Sequence, residues 1–352
     1  MKRYKCPTCL LEVFFESTSC VACGTGLGLD LVHRQMVPVT AAGGAAAADN
    51  PHRLCANAAH EACNCIVSSG SADIYCLSCR HNRTIPDLSV PENLAAWRNL
   101  ELAKRQLFYS LLRWRLPLPT RTEDPERGLG FDFLADQTLS EGEIDKVLTG
   151  HDSGLITVNI AEADDAVREK MRTGMGEPYR TLLGHFRHEI GHYYWDRLVR
   201  DAGLTPQFRD IFGDESIDYA QALKNHYAAG PDPKWSESFI SSYAATHPWE
   251  DFAETWAHYI HIVDSLETAR WYGMAVDAAP APGDASGTAV EFDPYGTATG
   301  LQAILDAWMP FTVALNSINR SMGQRDFYPF VLNDPVRLKL DFMHRLVRGE
   351  VG

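Results

Sequence analysis

Apolar positions recur at helical spacing in four stretches of the chain. The first starts at Ser89-Val90-Pro91-Glu92, a helix-opening signal, and continues through Ala95, Trp97, Leu100, Ala103, Leu107, Leu111 and Trp114 to Pro117. The second opens at Glu177-Pro178, repeats at Leu182, Leu183, Phe186, Ile190, Tyr193 or Tyr194 and Leu198, and closes at Gly203. The third has Pro248 in its first turn and a core stripe of Phe252, Trp256, Tyr259, Ile260 and Val263. The fourth, Leu301 to Arg348, reads as helices interrupted near Tyr328-Pro329. Strand character is concentrated in Leu11 to Phe15 and in Leu155 to Ile160, the latter after a turn-like Gly150-His151-Asp152-Ser153-Gly154. A strand shortly before the second helical stretch suits a sheet edge bordering a cleft, where an extended peptide could add. The Ala- and Gly-rich 41–48 reads as a flexible link, and 275–300 as a surface loop.

This pattern predicts an α+β chain with a mostly helical body and a small β-rich N-terminal head. Composition divides the chain in the same way. Its 352 residues suit about two domains. All nine Cys lie in the first 90 residues, where seven basic side chains balance seven acidic ones, so the net charge of -14 belongs to the rest. The expected organisation is a head over 1–88, a linking helix and connector over 89–145 and a body over 146–352. An acidic balance disfavours nucleic-acid binding, which needs a basic footprint. No apolar run reaches the roughly 18 residues of a membrane span. Lys2 and Arg3 before the apolar Leu10 to Phe15 could mimic a signal peptide, but Cys6 and Cys9 precede that stretch, Glu12 interrupts it and no cleavage site follows. The expected location is cytoplasmic, where thiols stay reduced and cysteine clusters bind metal.

The cysteine spacing points to zinc. Cys6-Pro7-Thr8-Cys9 and Cys20-Val21-Ala22-Cys23 place two thiolates each on a tight turn, and the two turns together supply a tetrahedral set. Cys55, Cys63, Cys76 and Cys79 would close a second four-sulfur site. Cys65, two residues from Cys63, competes for one position; Cys63 is preferred, and Cys65 reads as the odd, buried thiol. His52, His60 and His81 are alternatives to a cysteine, though exposed or capping roles are the commoner use. A neutral head that gains about two negative charges per four-thiolate zinc favours docking to protein, or a structural role, over nucleic acid.

The second helical stretch carries His188-Glu189-Ile190-Gly191-His192, an HExxH motif. One helical turn separates His188 from His192, so both imidazoles can reach one zinc ion; Glu189, about 100° round, can act without ligating. Gly191 is kept mid-helix at a cost of about 1 kcal/mol. His185 shares the His192 face but lies about 10.5 Å along the axis from it. It therefore reads as a neighbour of the site rather than a ligand. A third ligand is needed, and the helix from Pro248 offers Glu250, Glu254 and His258 on one face. Glu250 is the leading candidate, with Glu254 supporting a ligating imidazole; His247, Asp251 and His258 stay open as alternatives.

The combination of the cysteine-rich head, Gly184 to Trp195 and Pro248 to Trp256 resembles a bacterial family of zinc-binding metallopeptidases with an N-terminal zinc-ribbon domain. The likeness extends to Asn82 to Ser89 and to Asp326 to Leu332. That family tends to place Trp where this chain has Cys65, which favours Cys63 as the ligand. A narrower resemblance, to gluzincins of the anthrax lethal-factor type, lies in the Glu-x-Phe-Ala-Glu pattern of Glu250 to Glu254, with Tyr243 seven residues before it. It implies Glu250 as ligand, Glu254 as its supporting carboxylate and Tyr243 as an oxyanion-side donor. Together these readings describe a zinc-dependent endopeptidase with a zincin-like body, Glu189 as general base, one catalytic zinc and two structural ones. Its expected partners are a peptide or protein substrate and a protein docked on the ribbon, without nucleic acid or membrane. Two alternatives are a non-catalytic zinc-binding adaptor and a nucleic-acid-associated protease recruited by the ribbon.

Overall fold

The computed structural model describes residues 1–39, 51–138, 144–174, 177–230, 232–276 and 288–351. The linker expected over 41–48 and the 277–287 part of the loop expected over 275–300 lie outside them. The chain divides into two compact units, Lys2–Met175 and Gly176–Gly352. No helix among the described residues is long and apolar enough to cross a membrane.

The first unit begins with three two-stranded antiparallel hairpins. These are β1 (Tyr4–Lys5) with β2 (Glu12–Val13), β3 (Leu27–Asp30) with β4 (Gln35–Pro38), and β5 (His52–Leu54) with β6 (Ile66–Ser68). The strand expected over Leu11 to Phe15 shortens to Glu12 and Val13, and Phe14 is exposed while Phe15 is buried. Hairpins this small are marginal alone. They are tied together through Asn64, whose amide nitrogen donates to the carbonyls of Phe15 (2.8 Å) and Ser17 (3.1 Å).

A 3₁₀ turn at Cys79–His81 leads straight into β7 (Asn82–Thr84). Next comes α1 (Pro91–Arg113), then β8 (Gly130–Leu134), β9 (Gln137–Thr138), β10 (Ile144–Asp145), β11 (Gly150–Asp152), β12 (Leu155–Asn159) and α2 (Asp165–Gly174). β9 and β10 pair with each other, while the main sheet runs β11-β12-β8-β7. The expectation that Leu155 to Ile160 forms a sheet edge is corrected here. β12 is internal, antiparallel to β11 on one side and parallel to β8 on the other. Its parallel partner, with Phe131 and Phe133 fully buried, lies more than 20 residues upstream, beyond the reach of local pattern.

α1 buries Trp97, Leu100, Ala103, Leu107 and Leu111 of the expected stripe, and with them Phe108 and the charged Glu101, Lys104 and Arg105. These charges are satisfied inside the unit. Lys104 Nζ lies 2.8 Å from Glu101 Oε1, donates to Asn82 Oδ1, and stands 5.5 and 5.4 Å from the ring centres of Phe131 and Phe133. Arg105 donates to the Ala62 carbonyl.

The second unit is helical: α3 (Leu182–Trp195), α4 (Thr205–Phe212), α5 (Tyr219–Ala229), α6 (Pro248–Trp271), α7 (Leu301–Ser321) and α8 (Asp334–Leu346). A short ribbon, β13 (Ala275–Val276) with β14 (Thr288–Ala289), precedes α7. Thr181 caps α3 by accepting from the Gly184 amide at 3.0 Å, and one π turn, Asp196–Arg200, extends it toward Gly203. α6 is the core helix, with Phe252, Ala253, Trp256, Ile260, Val263 and Leu266 fully buried and Trp256 stacked on Tyr194. Asp251 pairs with Lys339 of α8 at 2.7 Å beneath this layer.

Gly191 explains itself in this packing. A Cβ built on it would stand 3.0 Å from Ala253 Cα and 3.3 Å from Trp256 Cδ1, so the glycine lets α3 lie directly against α6. Gly191→Ala should therefore destabilise the unit by about 1–2 kcal/mol, because overpacking outweighs the roughly 1 kcal/mol of helix propensity that alanine returns. Denaturant unfolding of the two proteins measures it, and a more stable variant would refute the close-approach account.

Candidate metal centre and its neighbours

His188 and His192 sit one turn apart on α3, and Glu250 occupies the first turn of α6. Packing of these two helices brings three atoms to one point. His188 Nε2 lies 3.2 Å from His192 Nε2 and 3.0 Å from Glu250 Oε2, and His192 Nε2 lies 3.5 Å from the same oxygen. Nitrogen and oxygen ligands of a tetrahedral zinc, at roughly 2.0–2.1 Å from the ion, stand about 3.3 Å from one another, so this triangle fits zinc. Glu250 is 1% exposed, and its Oε2 accepts no hydrogen bond. A buried carboxylate oxygen left in that condition is costly unless a cation meets it.

The three alternatives for the third ligand are turned elsewhere. His247 caps α6, its Nδ1 accepting from the Trp249 amide (3.0 Å) and its Nε2 donating to the Ile217 carbonyl (3.2 Å). Asp251 holds Lys339, and His258 Nδ1 meets the Tyr328 hydroxyl at 2.8 Å.

Around the triangle, Glu254 Oε1 accepts from His188 Nδ1 at 2.7 Å, and Ser241 Oγ donates to Glu254 Oε2 at 2.7 Å. This fixes the His188 ring with Nε2 facing the three-atom focus. Burial works against ionisation of Glu254, yet the His188 imidazole and the Ser241 hydroxyl hold its carboxyl down at about 2. Burial would also lower the His188 imidazole, but Glu250 and Glu254 outweigh it and hold it well above the usual range. Glu189 is buried and lies outside the triangle, with Oε1 3.4 Å from His185 Nε2. Against the burial that would raise it, His185 and His188 keep the Glu189 carboxyl below its ordinary value. His185 thus stands beside the acidic residue of the motif, not beside the converging atoms.

The Tyr243 ring is 5.9 Å from that of His188. Tyr219, on α5, donates to Glu250 Oε1 at 2.6 Å. Neither Tyr219 nor Ser241 is visible as a site residue in the sequence: each belongs to no motif, and 31 and 13 residues separate them from the carboxylates they touch.

In the first unit the structure gathers Cys6, Cys9, Cys20 and Cys23 into one cluster and Cys55, Cys63, Cys76 and Cys79 into another, the ligand atoms of each lying within 4.8 Å of one another. Cys6–Cys23 and Cys9–Cys20 sulfurs are 3.6 Å apart and Cys63–Cys76 sulfurs 3.7 Å. Sulfurs at roughly 2.3 Å from a tetrahedral zinc stand about 3.8 Å apart, so both clusters fit the ion. Backbone amides of Cys65, Cys76 and Cys79 point at the sulfurs of Cys63, Cys55 and Cys76 at 3.3–3.4 Å. Cys65 is fully buried and is not one of the four. His81 is buried and spends Nδ1 on the Leu129 carbonyl at 2.9 Å.

Comparison with known proteins agrees with this picture. Residues 93–346 match the family described as "Putative zinc-binding metallo-peptidase", and residues 3–90 match a zinc-ribbon domain. An uncharacterised protein of Mycobacterium bovis and one of Mycobacterium tuberculosis are each 40% identical over 348 residues, covering 99% of this chain and 95% of theirs. No solved structure matches the chain.

Proposed function

Since the chain belongs to this zinc-binding metallo-peptidase family, we propose that it hydrolyses peptide bonds within peptide or protein substrates, as a cytoplasmic endopeptidase. His188, His192 and Glu250 are the residues to hold the catalytic zinc, and the two cysteine clusters would hold structural ones. The observation that carries the reading is the convergence of His188 Nε2, His192 Nε2 and Glu250 Oε2 within 3.0–3.5 Å, with the buried Glu189 carboxylate alongside.

Zinc bound there supplies Lewis acidity, polarising a carbonyl and lowering the pKa of water toward about 7. The rest falls to the chain. Glu189 takes the proton from the attacking water and returns it to the leaving amine. His185 holds Glu189 in place. Glu254, itself held by Ser241, orients His188. Tyr243, its ring 5.9 Å from that of His188, donates a hydrogen bond to the oxygen that gains charge.

Metal analysis together with hydrolysis tests the proposal on the full chain. The expected result is three zinc ions per chain, with cleavage of a denatured protein or peptide mixture that a chelator stops and added zinc restores. Three zinc ions without hydrolysis would overturn the enzymatic reading in favour of a zinc-binding adaptor.

A further inference from the structure

The two oxygens of Glu250 stand in different surroundings. Oε2 faces His188 Nε2 and His192 Nε2 at 3.0 and 3.5 Å and accepts no hydrogen bond. Oε1 accepts the Tyr219 hydroxyl at 2.6 Å, the length of a strong bond to a charged oxygen. Tyr219 is itself held. Its ring meets His247 edge-on at 5.1 Å and lies 5.9 Å from the ring of Trp249. His247 in turn joins the Ile217 carbonyl, two residues before Tyr219, to the first turn of α6, one turn of which also carries Glu250. The same few residues therefore fix both the tyrosine and the carboxylate.

A glutamate ligand can offer zinc one oxygen or two. With two histidines and one carboxylate oxygen, a water or a reacting group completes four-coordination; a second carboxylate oxygen crowds that position and makes the hydrated site five-coordinate. Resting on the reading of His188, His192 and Glu250 as the catalytic ligands, we propose that Tyr219 is a positioning residue that holds Glu250 to a single ligating oxygen, Oε2, and so keeps the fourth position open. It does so by occupying Oε1 with a hydrogen bond that would have to break before that oxygen could swing to the metal. The role belongs to the hydroxyl and not to the ring.

The test uses the full chain with zinc in its cysteine clusters. The remaining site is emptied with a chelator and refilled with Co(II), whose visible bands weaken severalfold when four-coordination becomes five-coordination. Wild-type protein should show the stronger four-coordinate bands. Tyr219→Phe, which keeps the ring against His247 and Trp249, should still bind one Co(II) but with the weaker bands, and its zinc form should hydrolyse peptide about 10-fold more slowly. Tyr219→Leu should give the same cobalt spectrum as Tyr219→Phe. An unchanged spectrum in Tyr219→Phe overturns the proposal, as does a change seen only in Tyr219→Leu, which would assign the effect to ring packing. Failure of the wild-type chain to take up Co(II) at a third site would instead remove the ligand reading on which the proposal rests.

Discussion

Glu189→Gln should retain three zinc ions and lose hydrolytic activity by about 10²–10⁴-fold, the usual contribution of a positioned general base. The change keeps the shape of the side chain and removes only its capacity to accept a proton. Zinc content should hold because Glu189 lies outside the converging atoms of His188, His192 and Glu250, and its contact is with His185. In free-energy terms the loss is about 3–5 kcal/mol of transition-state stabilisation, far more than the change in one surface hydrogen bond could supply. Thermal unfolding should shift little, since the amide can still meet His185. Steady-state kinetics on a peptide, with metal content measured on the same preparations, checks both halves. Undiminished hydrolysis by the variant would remove Glu189 from the mechanism.

The second large effect belongs to the first unit. Cys63→Ser should lower the zinc content from three ions to two and leave the unit unable to fold cooperatively, whereas Cys65→Ala should keep all three ions and cost only about 1 kcal/mol, the scale of a small buried deletion. The two residues are equally buried and two positions apart, so composition and burial do not separate them. What separates them is direction: Cys63 shares a cluster with Cys55, Cys76 and Cys79, and Cys65 does not. Loss of the Cys63 thiolate also removes one of the negative charges, beside Cys65, Glu101 and Cys79, that offset the burial of Arg105. That loss adds to the metal-binding energy that small zinc domains need in order to fold. Metal analysis and thermal melts of both variants decide it; equal behaviour would mean that the cluster is drawn from the wrong cysteine.

These expectations rest on features that were unequally legible in the sequence. The HExxH spacing and the apolar stripe of α6 were sufficient to put His188, His192 and Glu250 on helices with the correct periodicity, because helix geometry converts spacing directly into facing. The CxxC pairs worked for the same reason, since a tight turn fixes two sulfurs locally. The long-range partners were not legible. Nothing about Tyr219 distinguishes it from the other twelve tyrosines until α5 is seen beside α6. Ser241 is one of many serines until Glu254 is found beneath it. Gly191 was readable as a cost but not as a cause, because the Ala253 backbone it accommodates belongs to another helix. β12 was recognised as a strand and misplaced as an edge, since strand pairing is a relation between distant segments. In α1 the apolar stripe concealed Glu101, Lys104 and Arg105, buried charges that periodicity treats as solvent-facing.

The two cysteine clusters differ in one respect with consequences for the protein in a cell. Cys9 and Cys23 of the first are exposed, while all four sulfurs of the second are buried. Ligand exchange begins with attack on an accessible sulfur or its metal, so the clusters occupy different places in a kinetic hierarchy. Of the two cysteine-bound ions, the outer should be the first to trade with zinc buffers or yield to oxidants, within the lifetime of a folded molecule. The inner ion should leave only when the unit opens. The head would then report on its surroundings at one end while remaining assembled at the other.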